Sequence, residues 1–280
     1  MSAKAVNGIS VPRRVIRALR GTIQTVYRHR RIVLSTTRAE LKKRYAGSIF
    51  GSLWIVLQPV LFLSIYLFVY LVVFQVRFPG YSELDYVVYV FAGLVPYLAF
   101  METLSMATGA VRRDIHLVRN VMLPLDLVPV RVVLMAIVTQ LVGLAMVAAL
   151  SAAAGTASAN LLFLPIALLL QAFFLLGLAW GFAALGVFIP DLNYVVNIVT
   201  VLLLFVSPIA FRPDMVPEGL RFVVDLNPIY YMTEVFRFGL IDGFVLSPKA
   251  LTIAVTGSLV VYALGCIFFR RFRNVLVDYE

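Results

Sequence analysis

One cysteine, two histidines and two long stretches without charge exclude many chemistries for this 280-residue chain. Cys266 alone forms neither an intrachain disulfide nor a cysteine metal cluster, and its place in the last apolar run makes it a small packing residue. His29 and His116 both fall in basic segments, and neither belongs to an H-E-x-x-H pair, so no zinc site is expected. The phosphate-binding pattern G-x-x-x-x-G-K-[ST] is missing, so ATP hydrolysis by this chain alone is not expected. A G-x-S-x-G nucleophile elbow is missing too. The acids between residues 212 and 248 read as loop solubilisers, and no enzyme class is favoured. A secretory signal peptide is not expected, because the first apolar run starts near residue 49, behind a long basic segment, and is too long for one.

No charged residue occurs between Arg44 and Arg77, or between Arg131 and Asp191. Hydrophobic residues make up 62% of the chain and its mean hydropathy is +0.96, against roughly 45–50% apolar residues in soluble domains. Several runs reach the ~20 apolar residues that cross a bilayer. The fold class is an all-α integral membrane protein.

Charge is placed unevenly. Residues 1–48 hold 12 Lys or Arg and one acid, Glu40; the rest of the chain holds 12 basic and 13 acidic residues. Such a basic segment keeps the N-terminus in the cytoplasm and attracts anionic membrane lipids, at about 1 kcal/mol per residue near the surface. Nucleic-acid binding would need this charge on a soluble domain, and none is present.

Six spans are expected near 50–76, 86–108, 129–153, 161–187, 194–211 and 250–270. Loop charge supports that count. Arg77 against Glu83 and Asp85 suits the outside, Arg112, Arg113 and Arg119 the inside, and the acid-rich loop 212–248 the outside. Arg270, Arg271 and Arg273 suit the inside, so both termini are cytoplasmic. Three parts follow: a basic segment over 1–48, one transmembrane domain over 49–270, and a cytoplasmic tail over 271–280.

Ile16, Leu19, Ile23 and Val26 recur at helical spacing, with Arg13, Arg17, Arg20 and Arg28 mostly off that stripe, which predicts an amphipathic helix on the membrane surface. Thr37 and Glu40 have the form of a capping box and predict a second helix start; Gly47 and Gly51 mark a bend before the first span. In 212–248, Pro213, Pro217 and Asn227-Pro228 interrupt the runs GLRFVVDL and IYYMTEVFRFGLI. These are too polar to span and too apolar for a free loop, so a re-entrant helical region at the outer face is expected. Asn227, Glu234 and Arg237 are its gate candidates.

Aromatic residues stand out in the first two spans. Phe62, Tyr66 and Tyr70 follow at four-residue steps, each drifting ~40° on a helix, and Tyr86, Tyr89, Gly93, Tyr97 and Phe100 make a similar stripe. Tyrosine hydroxyls in mid-span need partners that lipid tails do not supply. Trp54, Phe62, Tyr66, Tyr70 and Tyr97 are candidates to line a path for a sugar chain; helix packing and an interfacial aromatic belt are the plainer alternative. Glu102, an acid within a span, is either functional or paired with a basic or amide group at a helix interface. An ion-coupled transporter usually shows more than one such residue, and inverted repeats with it.

Residues 111–124 form a charged stretch between two spans. At 100° per residue Val111, Ile115, Val118 and Met122 cluster on one side. Arg112, His116, Arg119 and Asn120 take the other, with Arg113 beside them. The pattern predicts a short amphipathic helix stopped by Pro124, its polar face left for a partner.

Five stretches, in order, resemble ABC-2-type permeases that export polysaccharides: LKKRYAGSIFGSLWIVLQPVL (41–61), FAGLVPYLAFMETL (91–104), VRRDIHLVRNVMLPLDLVPV (111–130), PDLNYVVNIVTVLLLFVSPIAF (190–211) and NPIYYMTEVFRFGL (227–240). Pro190-Asp191 is a small departure, since the family often has a basic residue before that Asp. The resemblance implies six spans, an amphipathic N-terminal helix, and re-entrant periplasmic helices before the last span. It also implies a homodimer, its channel between the first and fifth spans, working with two copies of a separate ATPase. No cofactor is then expected in this chain, since the partner ATPase binds ATP and Mg. Residues 111–124 take the role of a coupling helix, with Arg112, Arg113, His116, Arg119 and Asn120 on the ATPase. The implied substrate is a lipid-linked glycan such as O-antigen, capsule or teichoic acid, moved across the bacterial inner membrane. A lipid or drug permease of the same architecture, or an ATP-independent flippase, are the alternatives.

Overall fold

The computed structural model describes residues 24–73, 75, 83–120, 123–153, 155, 157 and 159–279. For residues 66, 67, 70, 71, 83, 117, 119, 274 and 276–279 it describes the backbone alone. Among the described residues every regular element is helical.

Helix α1 (Arg30–Arg44) runs without a break past Thr37, which is buried in its interior with an unpartnered hydroxyl. No helix starts there: a capping pattern acts only where the preceding backbone leaves the helix. Of the N-terminal stripe, Ile16, Leu19 and Ile23 lie outside the described residues, and Val26 packs on the core. The chain turns over residues 45–50, and Gly47 (φ +80°) and Gly51 (φ +51°) adopt backbone angles that side chains disfavour. The bend therefore sits where the glycines are.

Helix α2 (Trp54–Leu67) follows a 3₁₀ turn, Gly51–Leu53, and passes into a π turn, Phe68–Val73. Helix α3 (Glu83–Thr108) leads through Gly109 into α4 (Ala110–Asn120). Helix α5 is Leu127–Ala153, α6 Leu164–Phe188 behind a 3₁₀ turn at Ala159–Phe163, and α7 Leu192–Val206. Two 3₁₀ turns and α8 (Arg221–Asp225) precede α9 (Pro228–Leu240) and α10 (Pro248–Tyr279). By length and apolarity α3, α5, α6 and α10 suffice to cross a membrane, while α2 and α7 are shorter apolar helices. At 15 residues α7 is about 22 Å long, short of the ~30 Å hydrocarbon core.

Helix α4 is described as far as Asn120 and has ended by Leu123, directly before Pro124, whose ring does not fit a continuing helix. Two boundaries differ from expectation, those of α7 and α10. Helix α7 ends at Val206, not 211, since Ser207 precedes Pro208 and is extended (φ −76°, ψ 139°). Helix α10 continues to Tyr279, so the expected tail is one helix with the last span.

Helix α3 lies at the centre of the bundle, against α5, α6, α7 and α9. The closest pair is α6 with α10. A Cβ built at Gly177 would lie 2.3 Å from the Val261 carbonyl oxygen, and one at Gly265 1.9 Å from the Gly177 carbonyl oxygen. In a bilayer such small residues let backbones meet, replacing the hydrophobic drive that lipid removes. Gly265→Val is accordingly expected to cost about 1–3 kcal/mol or more, since the clash is with backbone. The check is the melting temperature of the detergent-purified chain; an unchanged value would refute the close approach.

Candidate functional site

Polar side chains gather at the two ends of the bundle and in one cavity between them. At the α4 end, Arg131 on the first turns of α5 is only 2% exposed. Its Nη1 donates to Asp114 Oδ2 of α4 at 2.9 Å, and its Nη2 lies 3.8 Å from Glu40 Oε2 of α1. Burial pushes the Asp114 carboxyl above its usual range, against the pull of the Arg131 and Arg113 guanidinium groups. Three elements thus share one buried charge cluster. Beside it Trp180 of α6 donates to the Asp126 carbonyl at 3.0 Å, and Arg273 of α10 lies 3.4 Å from the Asp126 carboxylate. The Thr108 hydroxyl meets Asn193 at the start of α7 at 3.0 Å.

Helix α4 turns Val111 and Ile115 into the bundle, with Val118 packed against it. Its polar residues divide. Arg113, His116 and Asn120 are exposed, whereas Arg112 is half-buried and donates to the Val187 carbonyl of α6 at 2.8 Å. Arg119 has its side chain outside the described residues, and Met122 lies outside them altogether.

At the α9 end the break after α7 is braced by one cation. Arg237 of α9 is fully buried. Its Nη2 donates to the Pro208 and Ile209 carbonyls at 2.8 and 2.9 Å, its Nε to the Tyr89 carbonyl at 3.4 Å, and its Nη1 to Glu234 at 3.2 Å. The guanidinium carbon lies 3.7 Å from the Tyr89 ring centroid, and Gly93 leaves room for the fork: a Cβ there would stand 3.1 Å from Nη2. Asn227 caps α9 by accepting from Ile229 N at 3.0 Å, and donates to the Ser207 hydroxyl at 2.8 Å. The Tyr86 hydroxyl donates to the Ala210 carbonyl at 3.0 Å. Asn227, Glu234 and Arg237 therefore gather around one break, where Arg237 and Tyr86 satisfy the Pro208, Ile209 and Ala210 carbonyls just past the end of α7.

Between these ends lies a cavity of about 270 Å³, walled by α2, α3, α5 and α7. Phe62, Gln58, Ser105, Thr139 and Asn197 face it, and an Arg44–Glu102 ion pair closes one side. Glu102 thus has a basic partner at a helix interface. Of the aromatic candidates, Phe62 lines this cavity. Trp54 sits at the start of α2 with its indole N–H on the Ser48 hydroxyl at 2.8 Å. Tyr97 is buried between α3 and α7, its hydroxyl on the Thr200 carbonyl. The side chains of Tyr66 and Tyr70 lie outside the described residues.

Sequence reasoning did not single out Arg131, Asp114 or Arg44 for this site, and gave Glu40 a helix-capping role instead. A signal existed for Arg131: a lone arginine just inside a span must meet a carboxylate there. Pairing over such separations leaves no periodic trace.

Long apolar helices around buried ionic joints define a multi-pass membrane protein. The family described as ABC-2 type transporter matches residues 32–241. The chain belongs to that family. An O-antigen export system permease protein of Klebsiella pneumoniae is 25% identical to it over 86% of this chain and 92% of its own length. The permease protein of the same description from Myxococcus xanthus is 24% identical over 74% of this chain and 79% of its own.

Proposed function

We propose that this chain is the membrane subunit of a bacterial ATP-driven exporter that moves a lipid-linked polysaccharide of O-antigen or capsule type across the inner membrane. Six crossings then come from α2 with its flanking turns, α3, α5, α6, α7 with residues 207–211, and α10. Both termini and α4 face the cytoplasm, while α8 and α9 are re-entrant from the periplasm. Two copies meet through α2 and α7, which expose apolar side chains such as Ile65, Phe68, Ile198, Leu202 and Phe205. The path between them is lined in part by Trp54, Phe62, Tyr66 and Tyr70; Tyr97, expected there too, is instead buried between α3 and α7. Two copies of a separate ATPase supply ATP and Mg chemistry, and this chain supplies none.

One observation carries this reading: α4 buries its apolar face in the bundle and presents Arg113, His116 and Asn120 outward, in a chain without a phosphate loop. A rigid surface helix joined by ion pair to two other elements passes on a partner's movement; an anchoring helix needs no such joint. The O-antigen export permeases among its relatives support the glycan, and a lipid or drug permease is the alternative.

The test reverses the exposed charge without touching the inward-tied Arg112. Arg113→Glu combined with His116→Asp is expected to lower co-purification of the cognate ATPase about tenfold in a membrane subunit that still folds, its melting temperature lowered only by the loss of the 3.8 Å Arg113–Asp114 pair. Normal association and normal export by that variant would remove α4 as the docking helix.

A further inference from the structure

Glu102 and Arg44 differ from the other strong ion pairs of this bundle. Arg131–Asp114 and Arg237–Glu234 are closed off, their arginine side chains 2% and 0% exposed. In Arg44–Glu102 the side chains remain 32% and 14% exposed and border the 270 Å³ cavity. A carboxylate at this depth of a membrane helix is costly unless compensated. Stability alone favours an apolar pair or a sealed one. An arginine held at a cavity wall by a carboxylate that solvent still reaches is instead poised to change partners.

The rest of the lining sets what that partner would be. Gln58 and Asn197 bring amide groups, Ser105 a hydroxyl, and Phe62 and Met101 apolar surface. Among the described residues the lining holds no acid apart from Glu102. Lys42 and Lys43, exposed beside Arg44 in the last turn of α1, make the approach cationic. Glu102 is held by the donors that would hold any other anion. A guanidinium matches phosphate with two parallel N–H donors and is weakly hydrated, so it exchanges a carboxylate for a phosphoryl group without losing its fork geometry.

We propose that the cavity between α2, α3, α5 and α7 binds the phosphoryl headgroup of a membrane lipid, with Arg44 as the binding cation and Glu102 as the internal anion it exchanges. Glu102 keeps the guanidinium neutralised and aimed at the cavity while no ligand is present. Because a bound phosphoryl group must displace that carboxylate, binding is weak and reversible, which suits a molecule that has to move on. Two sources share this chemistry: the diphosphate that links a polyprenyl chain to a glycan, and the phosphodiester of a bulk phospholipid. That the first is the physiological one rests on the export reading above; the phosphoryl site itself does not.

The test uses the full chain in dodecyl maltoside micelles, a detergent without phosphate, titrated in separate arms with undecaprenyl diphosphate and with phosphatidylglycerol, and bound lipid is counted by native mass spectrometry. Arg44→Gln is expected to weaken binding about tenfold or more, the size of a lost charge-assisted contact. Glu102→Gln is expected to strengthen it several-fold, because the competing anion is gone. That opposite sign separates exchange from a structural role, since a pair that only braced the fold would weaken binding from either side. Arg44→Lys restores part of the affinity, and melting temperatures of all variants show that they fold. Preference for the diphosphate supports the site and ties it to the exported molecule. Equal binding of both lipids supports the site and counts against that tie. Binding that ignores Arg44→Gln, or weakens with Glu102→Gln in a folded chain, overturns the proposal. Failure of the α4 docking test would withdraw the export reading and leave this result standing.

Discussion

Arg237→Met is expected to destabilise the folded chain by about 3–5 kcal/mol, the cost of removing one partner from a buried charge network. Methionine fills a similar volume but donates nothing. The Pro208 and Ile209 carbonyls would then lose their partner at the point where Ser207 and Pro208 have ended α7, and Glu234 would lose its counter-ion. Backbone at membrane depth has no water to turn to. For a chain of this size the melting temperature should fall by about 10 °C, read on detergent-purified protein. Arg237→Lys should fall between the two, because a single ammonium keeps the charge yet lacks the planar fork that reaches Tyr89, Pro208 and Ile209 together. A methionine variant melting within about 2 °C of the parent would show that these carbonyls do not depend on Arg237.

That dependence explains which features were legible before the structure. The apolar runs behind α3, α5, α6 and α10 are long enough to cross a membrane whatever surrounds them, so the extents of α3, α5 and α6, and of the apolar part of α10, follow from the sequence within a few residues. The ends are set by chemistry of shorter range. Pro208 stops α7 several residues ahead of where the apolar pattern fades. Thr37 has the local form of a helix start, and α1 runs through it because residues on both sides stay helical. Asn227, Glu234 and Arg237 were visible as polar residues within an apolar segment. Their shared target, the broken end of α7, is a tertiary fact. Helical periodicity alone placed Arg112 with the polar face of α4, whereas the Val187 carbonyl draws it toward α6. Arg44 and Glu102 lie 58 residues apart, and no local spacing announces their meeting.

The second large effect concerns Arg131. Arg131→Gln is expected to remove about 3–5 kcal/mol of stability by leaving the Asp114 and Glu40 carboxylates without their buried cation. Its pH dependence distinguishes this cause from a generic packing defect. Burial already raises the Asp114 carboxyl pKa, while Arg131, Arg113 and Lys43 hold it down and Glu40 pushes it up. Losing Arg131 raises it further, so the folded variant binds a proton that the unfolded chain has released. Where the folded state holds more protons, stability falls as pH rises. The variant should therefore approach the parent's melting temperature near pH 5 and fall away from it toward pH 8. Asp114→Asn in the same background should abolish that trend, since no carboxyl on α4 remains to titrate. A melting difference that stays constant across this range would show that the Arg131 charge is not what joins α4 to α5. Under the proposed export function, export should fail in Arg131→Gln even at a temperature where the chain stays folded and the proposed partner ATPase still co-purifies. The lost contact is the one through which movement of α4 would reach α1 and α5 together, beside the Arg112 bond to the Val187 carbonyl that ties α4 to the end of α6.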